Sequence, residues 1–393
     1  MKILSAITAF IYYLLAILGL PYGDCNTIYT PHGNLFVESR SDIFCPSDEV
    51  WENGAEYPSV ICLANNGDKN GTLLATFEVF DKGQTKFRIM ESFDKGDTWS
   101  EIAVVTEKFN PDLQAAWQPC LFELPEAMGD YAKGSIILGE VSLDDGCKSK
   151  TQLSLFVSED CGKTWEEISV IDEAGGVEEG IWEPWFVYEN GTLYCFYSDD
   201  SDPIHSQTIV YKSSTDLINW SEKVPVVVNE NPDDRPGMPV VTKMGNGKYY
   251  LAYELLTNGD NKPCRYKISD SISEWDVDDQ GTEIIAFRNR DLHSSPICLW
   301  IPEGGKNGTL IVNAKYGNKG HNELFVSYDY GETYSVIISP FKYSDARGFG
   351  YSPSMIYSEA DKAIYYANSV DYKDGLSKIQ FVRLSFNNRQ FQC

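Results

Sequence analysis

The sequence predicts an all-β chain folded as a six-bladed β-propeller. Three observations carry that prediction. A proline followed by a short apolar run recurs six times, at Pro58, Pro119, Pro184, Pro239, Pro296 and Pro353, in steps of 61, 65, 55, 57 and 57 residues. Each is followed by a turn and a β-rich run, beginning at Gly71, Gly134, Gly191, Gly247, Gly308 and Lys362. Finally, Ser-x-Asp-x-Gly-x-Thr-aromatic occurs three times, over Ser92–Trp99, Ser158–Trp165 and Ser327–Tyr334, with shorter relatives ending at Trp220 and Trp275.

Each element has a local reason. The second run, such as Gly191-Thr-Leu-Tyr-Cys-Phe-Tyr, is apolar throughout rather than alternating, as befits a strand covered on both faces. A third strand follows, as in Gln152-Leu-Ser-Leu-Phe-Val. The repeated Ser/Asp/Gly/Thr turn reads as a tight hairpin. Ser and Asp bond the turn backbone, Gly takes a positive φ, and the aromatic packs beneath. This is the Asp-box of sialidase-like propellers, and it makes Asp94, Asp160 and Asp329 structural rather than catalytic. The last unit has one strand after its second, Ile379-Gln-Phe-Val-Arg-Leu-Ser-Phe. Its fourth strand is expected from the N-terminus, around Asn34-Leu-Phe-Val-Glu.

The chain has 393 residues, 32 Lys plus Arg against 58 Asp plus Glu, a formal charge of −26, 4 His and 13% aromatics. That acidity excludes nucleic acid or an anionic membrane as the main partner. The hydrophobic content of 42% excludes disorder. Few His and no Cys-x-x-Cys argue against a typical zinc site, and no metal or organic cofactor is implied. Ile3 to Leu20 are apolar or small behind Lys2, so residues 1–23 read as a secretory signal, with an uncleaved anchor as the alternative. Four glycosylation acceptors (Asn70, Asn190, Asn219, Asn307) and ten Cys, an even number that suits disulfides, agree with a secreted chain. Cys25 and Cys393 are candidates for a bridge between the termini. No linker divides residues 45–390, so residues 24–393 form one domain, expected to be a monomer free of the membrane after signal cleavage.

Carboxylates on inner strands are the places to look for chemistry, since ligands of propellers bind at one mouth of the central funnel. Glu254 ends the apolar run Tyr249-Tyr-Leu-Ala-Tyr and reads as a general acid raised by burial. The plainer alternative is an acid bonded to backbone donors. Glu183, between Trp182 and Trp185, reads as a nucleophile on the inner strand of blade three. Its plainer alternative is an acid meeting a backbone amide among packing tryptophans. Two carboxylates from adjacent blades facing one funnel suit glycosidic cleavage. Tyr351 is a candidate partner of the nucleophile. Arg235 either holds substrate hydroxyls or pairs with Asp234. Trp117, His205 and His293 are candidate mouth residues, and Glu56, Glu78, Glu140 and Asp199 are further carboxylates near strand ends.

The motifs Glu56-Tyr-Pro-Ser-Val, Trp117-Gln-Pro, Trp182-Glu-Pro-Trp, Arg235-Pro-Gly-Met-Pro and Tyr253-Glu together resemble glycoside hydrolase family 93, over about residues 45–385. The resemblance implies a six-bladed sialidase-like propeller that releases arabinobiose from the non-reducing end of linear α-1,5-L-arabinan with retention. It thus implies a plant cell-wall polysaccharide, the arabinan side chains of pectin, as partner. It assigns the nucleophile to Glu183, the acid/base to Glu254 and a supporting tyrosine to Tyr351. Glu56, Tyr57, Trp117, Gln118, Trp182, Asp199, His205, Arg235 and His293 are the expected substrate-binding residues. Sialidases share the fold but carry Arg-Ile-Pro where this chain has Glu56-Tyr57-Pro58, and a Glu there repels a substrate carboxylate. Asp216-Leu-Ile-Asn-Trp is similar to five-bladed arabinanases, against which six units count. A non-catalytic glycan- or protein-binding propeller is the alternative of another class.

Overall fold

A computed structural model describes residues 27–46, 50–81, 84–85, 87–105, 112–144, 149–317, 323–341 and 350–387. Over these residues the chain is all-β. Its helical pieces are three single turns, Gly67–Lys69, Val177–Glu179 and Lys373–Gly375.

Six antiparallel units follow one another in sequence. Their first strands are Val50–Cys62, Leu113–Glu123, Ile181–Glu189, Asp234–Lys243, Ile297–Ile301 and Ser354–Ser358, and each carries or directly follows one of the repeat prolines. In the first five units the strands lie in chain order with the first strand outermost. Each first strand packs on the first strand of the next unit, and Ser354–Ser358 packs on Val50–Cys62. Five apolar clusters fill the spaces between units. Leu74, Phe87 and Ile89 of the first meet Leu121, Ile136 and Phe156 of the second. Ala55 and Phe77 of the first meet Tyr365 and Phe381 of the sixth.

The sixth unit is built from both ends of the described chain. Gly33–Phe44 pairs antiparallel with Ser377–Asn387, setting Asn34 opposite Asn387 and Val37 opposite Leu384. The first and sixth units are joined by one parallel bridge, Ser377 to Gly54. There the Ser377 hydroxyl donates to Ala55 O at 2.8 Å and accepts from Ala55 N at 3.1 Å.

The three long turns make one set of bonds. Gly96 N donates to Ser92 Oγ at 2.9 Å, Thr98 Oγ1 to Asp94 Oδ2 at 2.6 Å, and Trp99 Nε1 to Gly96 O at 3.2 Å. Ser158–Trp165 repeats all three, and Ser327–Tyr334 the first two. The turn glycines have φ of 88°, 87° and 95°. The Thr98 hydroxyl and N–H hold the Asp94 carboxyl down to about 2, so this acid spends its charge on the turn.

The cysteines depart from expectation. Cys45, Cys62, Cys120, Cys161, Cys195, Cys264 and Cys298 are all free thiols. Cys120, Cys195, Cys264 and Cys298 are buried and fill space as small apolar side chains, which an even cysteine count does not distinguish from disulfide partners. Cys25 and Cys393, with the segment 1–23, lie outside the described residues. Among the described residues no helix is long and apolar enough to cross a membrane.

Gly54 has φ of 95°, and a Cβ there would lie 2.3 Å from Ser377 O. Gly71 has φ of 89° with open space around it. Gly54→Ala should therefore cost well beyond the ~1–2 kcal/mol of a left-handed alanine, and Gly71→Ala only about that amount. Urea midpoints measure both, and equal losses would contradict the close approach.

Candidate active site

The site begins with a backbone feature. The residue before each repeat proline has a positive φ: Tyr57 50°, Gln118 57°, Glu183 65°, Met238 53°, Ser295 48° and Ser352 49°. A non-glycine residue in this region stores about 1–3 kcal/mol, and such strain concentrates at functional sites. In the first four units it coincides with a register shift, between Glu56 and Ser59, Trp117 and Cys120, Trp182 and Trp185, and Gly237 and Val240. These bulges bring all but Ser295, with the six prolines, around one narrow cavity of about 50 Å³.

Side chains of neighbouring units receive the bulge N–H groups. Gln118 N donates to Glu78 Oε2 at 3.1 Å. Glu183 N donates to Gln118 Oε1 at 3.0 Å. Met238 N donates to Glu183 Oε2 at 2.9 Å and to Ser198 Oγ at 3.1 Å. Ser295 N donates to Glu254 Oε2 at 2.9 Å. In every case the acceptor belongs to the preceding unit. Both plainer readings from sequence are thus present too: Glu183 and Glu254 each meet a backbone amide.

Glu183 also accepts from Ser198 Oγ at 2.5 Å. Burial, and next the charge of Glu254, push its carboxyl above the usual range. Burial likewise raises Glu254, opposed by Ser295 N–H, the Ser294 hydroxyl, Lys315 and Arg235. The repulsion is mutual, so the two carboxyls titrate as a pair that keeps one proton well above the ordinary carboxylate range. Tyr351 sits beside both, its hydroxyl raised by burial and then by Glu254 and Glu183. Its ring meets Tyr57 edge-on at 5.2 Å, and Lys315 Nζ lies 4.7 Å from the ring centre. Gln118 Nε2 reaches Tyr57 Oη at 3.5 Å. Glu56 lies opposite Glu78 in the first unit, both buried.

The remaining candidates divide. Trp117 and Trp182 stack at 6.0 Å. Trp182 Nε1 donates to Asp200 Oδ2 at 3.1 Å, and Arg235 Nη2 donates to the same oxygen at 2.8 Å. Arg235 thus pairs with Asp200, not with Asp234. Asp199 is not brought to the pair. It accepts from Ser201 and Lys223, because successive strand residues face opposite ways and Asp200 takes the inner side. His205 bonds Asp202 at 2.9 Å within its own loop. His293 bonds Asp291 at 2.9 Å and stacks on Tyr316. Glu140, fully buried, accepts from Ser142 Oγ in its own strand. Sequence reading missed Asp200, Ser198, Ser294, Ser295 and Lys315. The only available signal was parity along Ser198-Asp199-Asp200, once the Glu183 bulge is known.

Several solved structures share this architecture almost end to end. The α-L-arabinanase of Penicillium chrysogenum, complexed with arabinobiose, is 29% identical over 89% of this chain and 98% of that one, with a TM-score of 0.79. The GH93 α-L-arabinofuranosidase of Fusarium graminearum, in complex with arabinobiose, is 27% identical over 88% of this chain and 97% of that one, with a TM-score of 0.77. The chain is thus similar over nearly its whole length to structures of glycoside hydrolase family 93. A Dyadobacter fermentans protein of unknown function, 14% identical over 90% of this chain and 99% of that one at a TM-score of 0.62, shares the fold. No family model matches the sequence, and no curated protein matches it.

The chain is a glycoside hydrolase, and its carboxyl pair has the makings of acid/base and nucleophilic work. The Glu56–Glu78 pair is electrostatically similar. Burial, then the Glu56 charge, raise the Glu78 carboxyl from 4.5 to about 8. A carboxyl that holds its proton more tightly when folded stabilises the fold fully below 4.5 and loses that contribution as pH rises to about 8. The loss runs at about 1.4 kcal/mol per pH unit for one group. Glu78→Gln has no such proton, so its melting temperature should fall less steeply than the wild type's between about pH 5 and 8. Parallel melting curves would show that Glu78 ionises in its ordinary range.

Proposed function

We propose that this hydrolase is a secreted, retaining exo-glycosidase acting on linear α-1,5-L-arabinan from the non-reducing end and releasing arabinobiose. Its six units then form one six-bladed, sialidase-like propeller over residues 24–393, with Glu183 lining the narrow cavity among the prolines. The observation that carries the reading is the electrostatically linked pair Glu183 and Glu254, on adjacent units, in a chain similar over nearly its whole length to enzymes seen with arabinobiose. Secretion rests on the first 23 residues and the glycosylation acceptors.

The mechanism follows from the donors. Ser198 Oγ–H and Met238 N–H both donate to Glu183 Oε2, holding an anion and leaving Oε1 to attack the anomeric carbon. Ser295 N–H donates to Glu254 Oε2, leaving Oε1 to carry the proton. Glu254 protonates the departing glycosidic oxygen as the Glu183 ester forms. Esterification removes the charge on Glu183, so repulsion on Glu254 disappears. Lys315 and Arg235 then favour its anion, which takes a proton from a water that attacks the anomeric carbon and displaces the Glu183 carboxylate. Retention by this route asks for carboxyls about 5–5.5 Å apart. The paired acids Glu56, on the first inner strand, and Glu78, opposite it on the second strand, support a neutral sugar over an anionic one.

Linear arabinan, debranched arabinan, 4-nitrophenyl arabinofuranoside and sialyl-lactose, given to wild type, Glu183→Ala and Glu254→Ala, test this. Arabinobiose should appear from linear arabinan, and each variant should lose about 10³-fold or more of kcat. With azide, Glu183→Ala should give a glycosyl azide of inverted configuration. Glu254→Ala on an activated glycoside should give the retained one. Sialic acid release, or unchanged arabinan hydrolysis in both variants, would sink the reading.

A further inference from the structure

The bonds between bulges form a directed chain. Glu78 of the first unit holds Gln118 N, Gln118 of the second holds Glu183 N, and Glu183 of the third holds Met238 N. Glu254 lies beside the last link, opposite Gly237 in the register of the fourth unit. Gln118 is the crossing point. Its φ of 57° makes its backbone conformation costly, and a buried N–H without an acceptor adds to that cost. Taking away the Glu78 acceptor therefore favours relaxation of Gln118 towards the extended region. That turns its amide away from Glu183 N, which is itself held at φ of 65°. Glu78 is 4% exposed, and it reaches Glu183 through its bond to Gln118 N.

We propose that Glu78 is a positioning residue for the reaction: acting through Gln118, it fixes the orientation from which Glu183 attacks. The proposal rests on the reading of Glu183 as nucleophile. Its requirement is an acceptor, not a charge. A glutamine retains the acceptor, whereas a methionine of similar length does not.

Kinetics on linear arabinan test it with Glu78→Gln, Glu78→Met and Gln118→Asn. The last shortens the amide by one methylene, so that it no longer reaches Glu183 N while its own N–H stays on Glu78. Glu78→Gln should keep kcat within about threefold. Glu78→Met and Gln118→Asn should lose about 30–100-fold in kcat with KM within about threefold, the cost of a misplacement near 1 Å. Melting temperature and arabinobiose binding check that each variant is folded. A folded Glu78→Met with normal kcat overturns the proposal, as does an equal loss in the Gln and Met variants. If Glu78→Met does not fold, a Gln118→Asn enzyme with wild-type kcat overturns it alone. An active Glu183→Ala enzyme overturns the nucleophile assignment and the proposal with it. An inactive Glu183→Ala beside a fully active Glu78→Met removes only the proposal.

Discussion

The structure depends on a backbone conformation that its own residue types disfavour. A residue before proline is pushed towards extended backbone. Here six such residues carry positive φ, none of them glycine. What holds four of them is a neighbour's acceptor: Glu78, Gln118, Glu183 or Glu254 on the N–H of the next unit. The same bonds join edge strands that have no ladder partner on their inner side. Strain, inter-unit adhesion and the placement of reactive groups therefore share one set of hydrogen bonds.

That sharing explains how an acidic centre is tolerated. Glu56, Glu78, Glu183 and Glu254 stand close around the axis, with Lys315 and Arg235 nearby. Four buried negative charges would be prohibitive, and burial accordingly raises the Glu78, Glu183 and Glu254 carboxyls, favouring their protonated forms. Backbone N–H groups and serine hydroxyls supply the rest without bringing in further charge. A site stabilised in this way keeps a proton available near neutral pH, which is what an acid/base cycle uses.

Much of this was legible in the sequence because the repeat is written in proline, the residue whose backbone demands are least negotiable. The six prolines mark the inner strands, and a carboxylate inside Tyr249–Leu255 or between two tryptophans stands out against its neighbours. The pairing of Asn34-Leu-Phe-Val with the last strand follows from counting strands per unit. What escaped was set by bulge parity and by distance in space. Asp199 and Asp200 are adjacent in sequence yet face opposite sides, and only the bulge at Glu183 decides which is inner. Lys315 reads as a surface lysine until the fifth unit is set beside Tyr351. Free buried cysteines and paired ones look alike in a list of ten.

The sixth unit has a consequence for biosynthesis. Lys378 Nζ bonds Asp42 Oδ2 across 336 residues of chain, and Asn34 lies opposite Asn387. Gly33–Phe36 can pair at once with Thr27–Thr30, but the rest of Gly33–Phe44 has no ladder partner until Ser377–Asn387 has been made. Contacts of such sequence separation form slowly. A lone strand edge left open that long is open to aggregation. Local units can form as they are synthesised, but the mutual support of first and last cannot. The yield of this enzyme should be governed less by its final stability than by how well that early strand is shielded during translation.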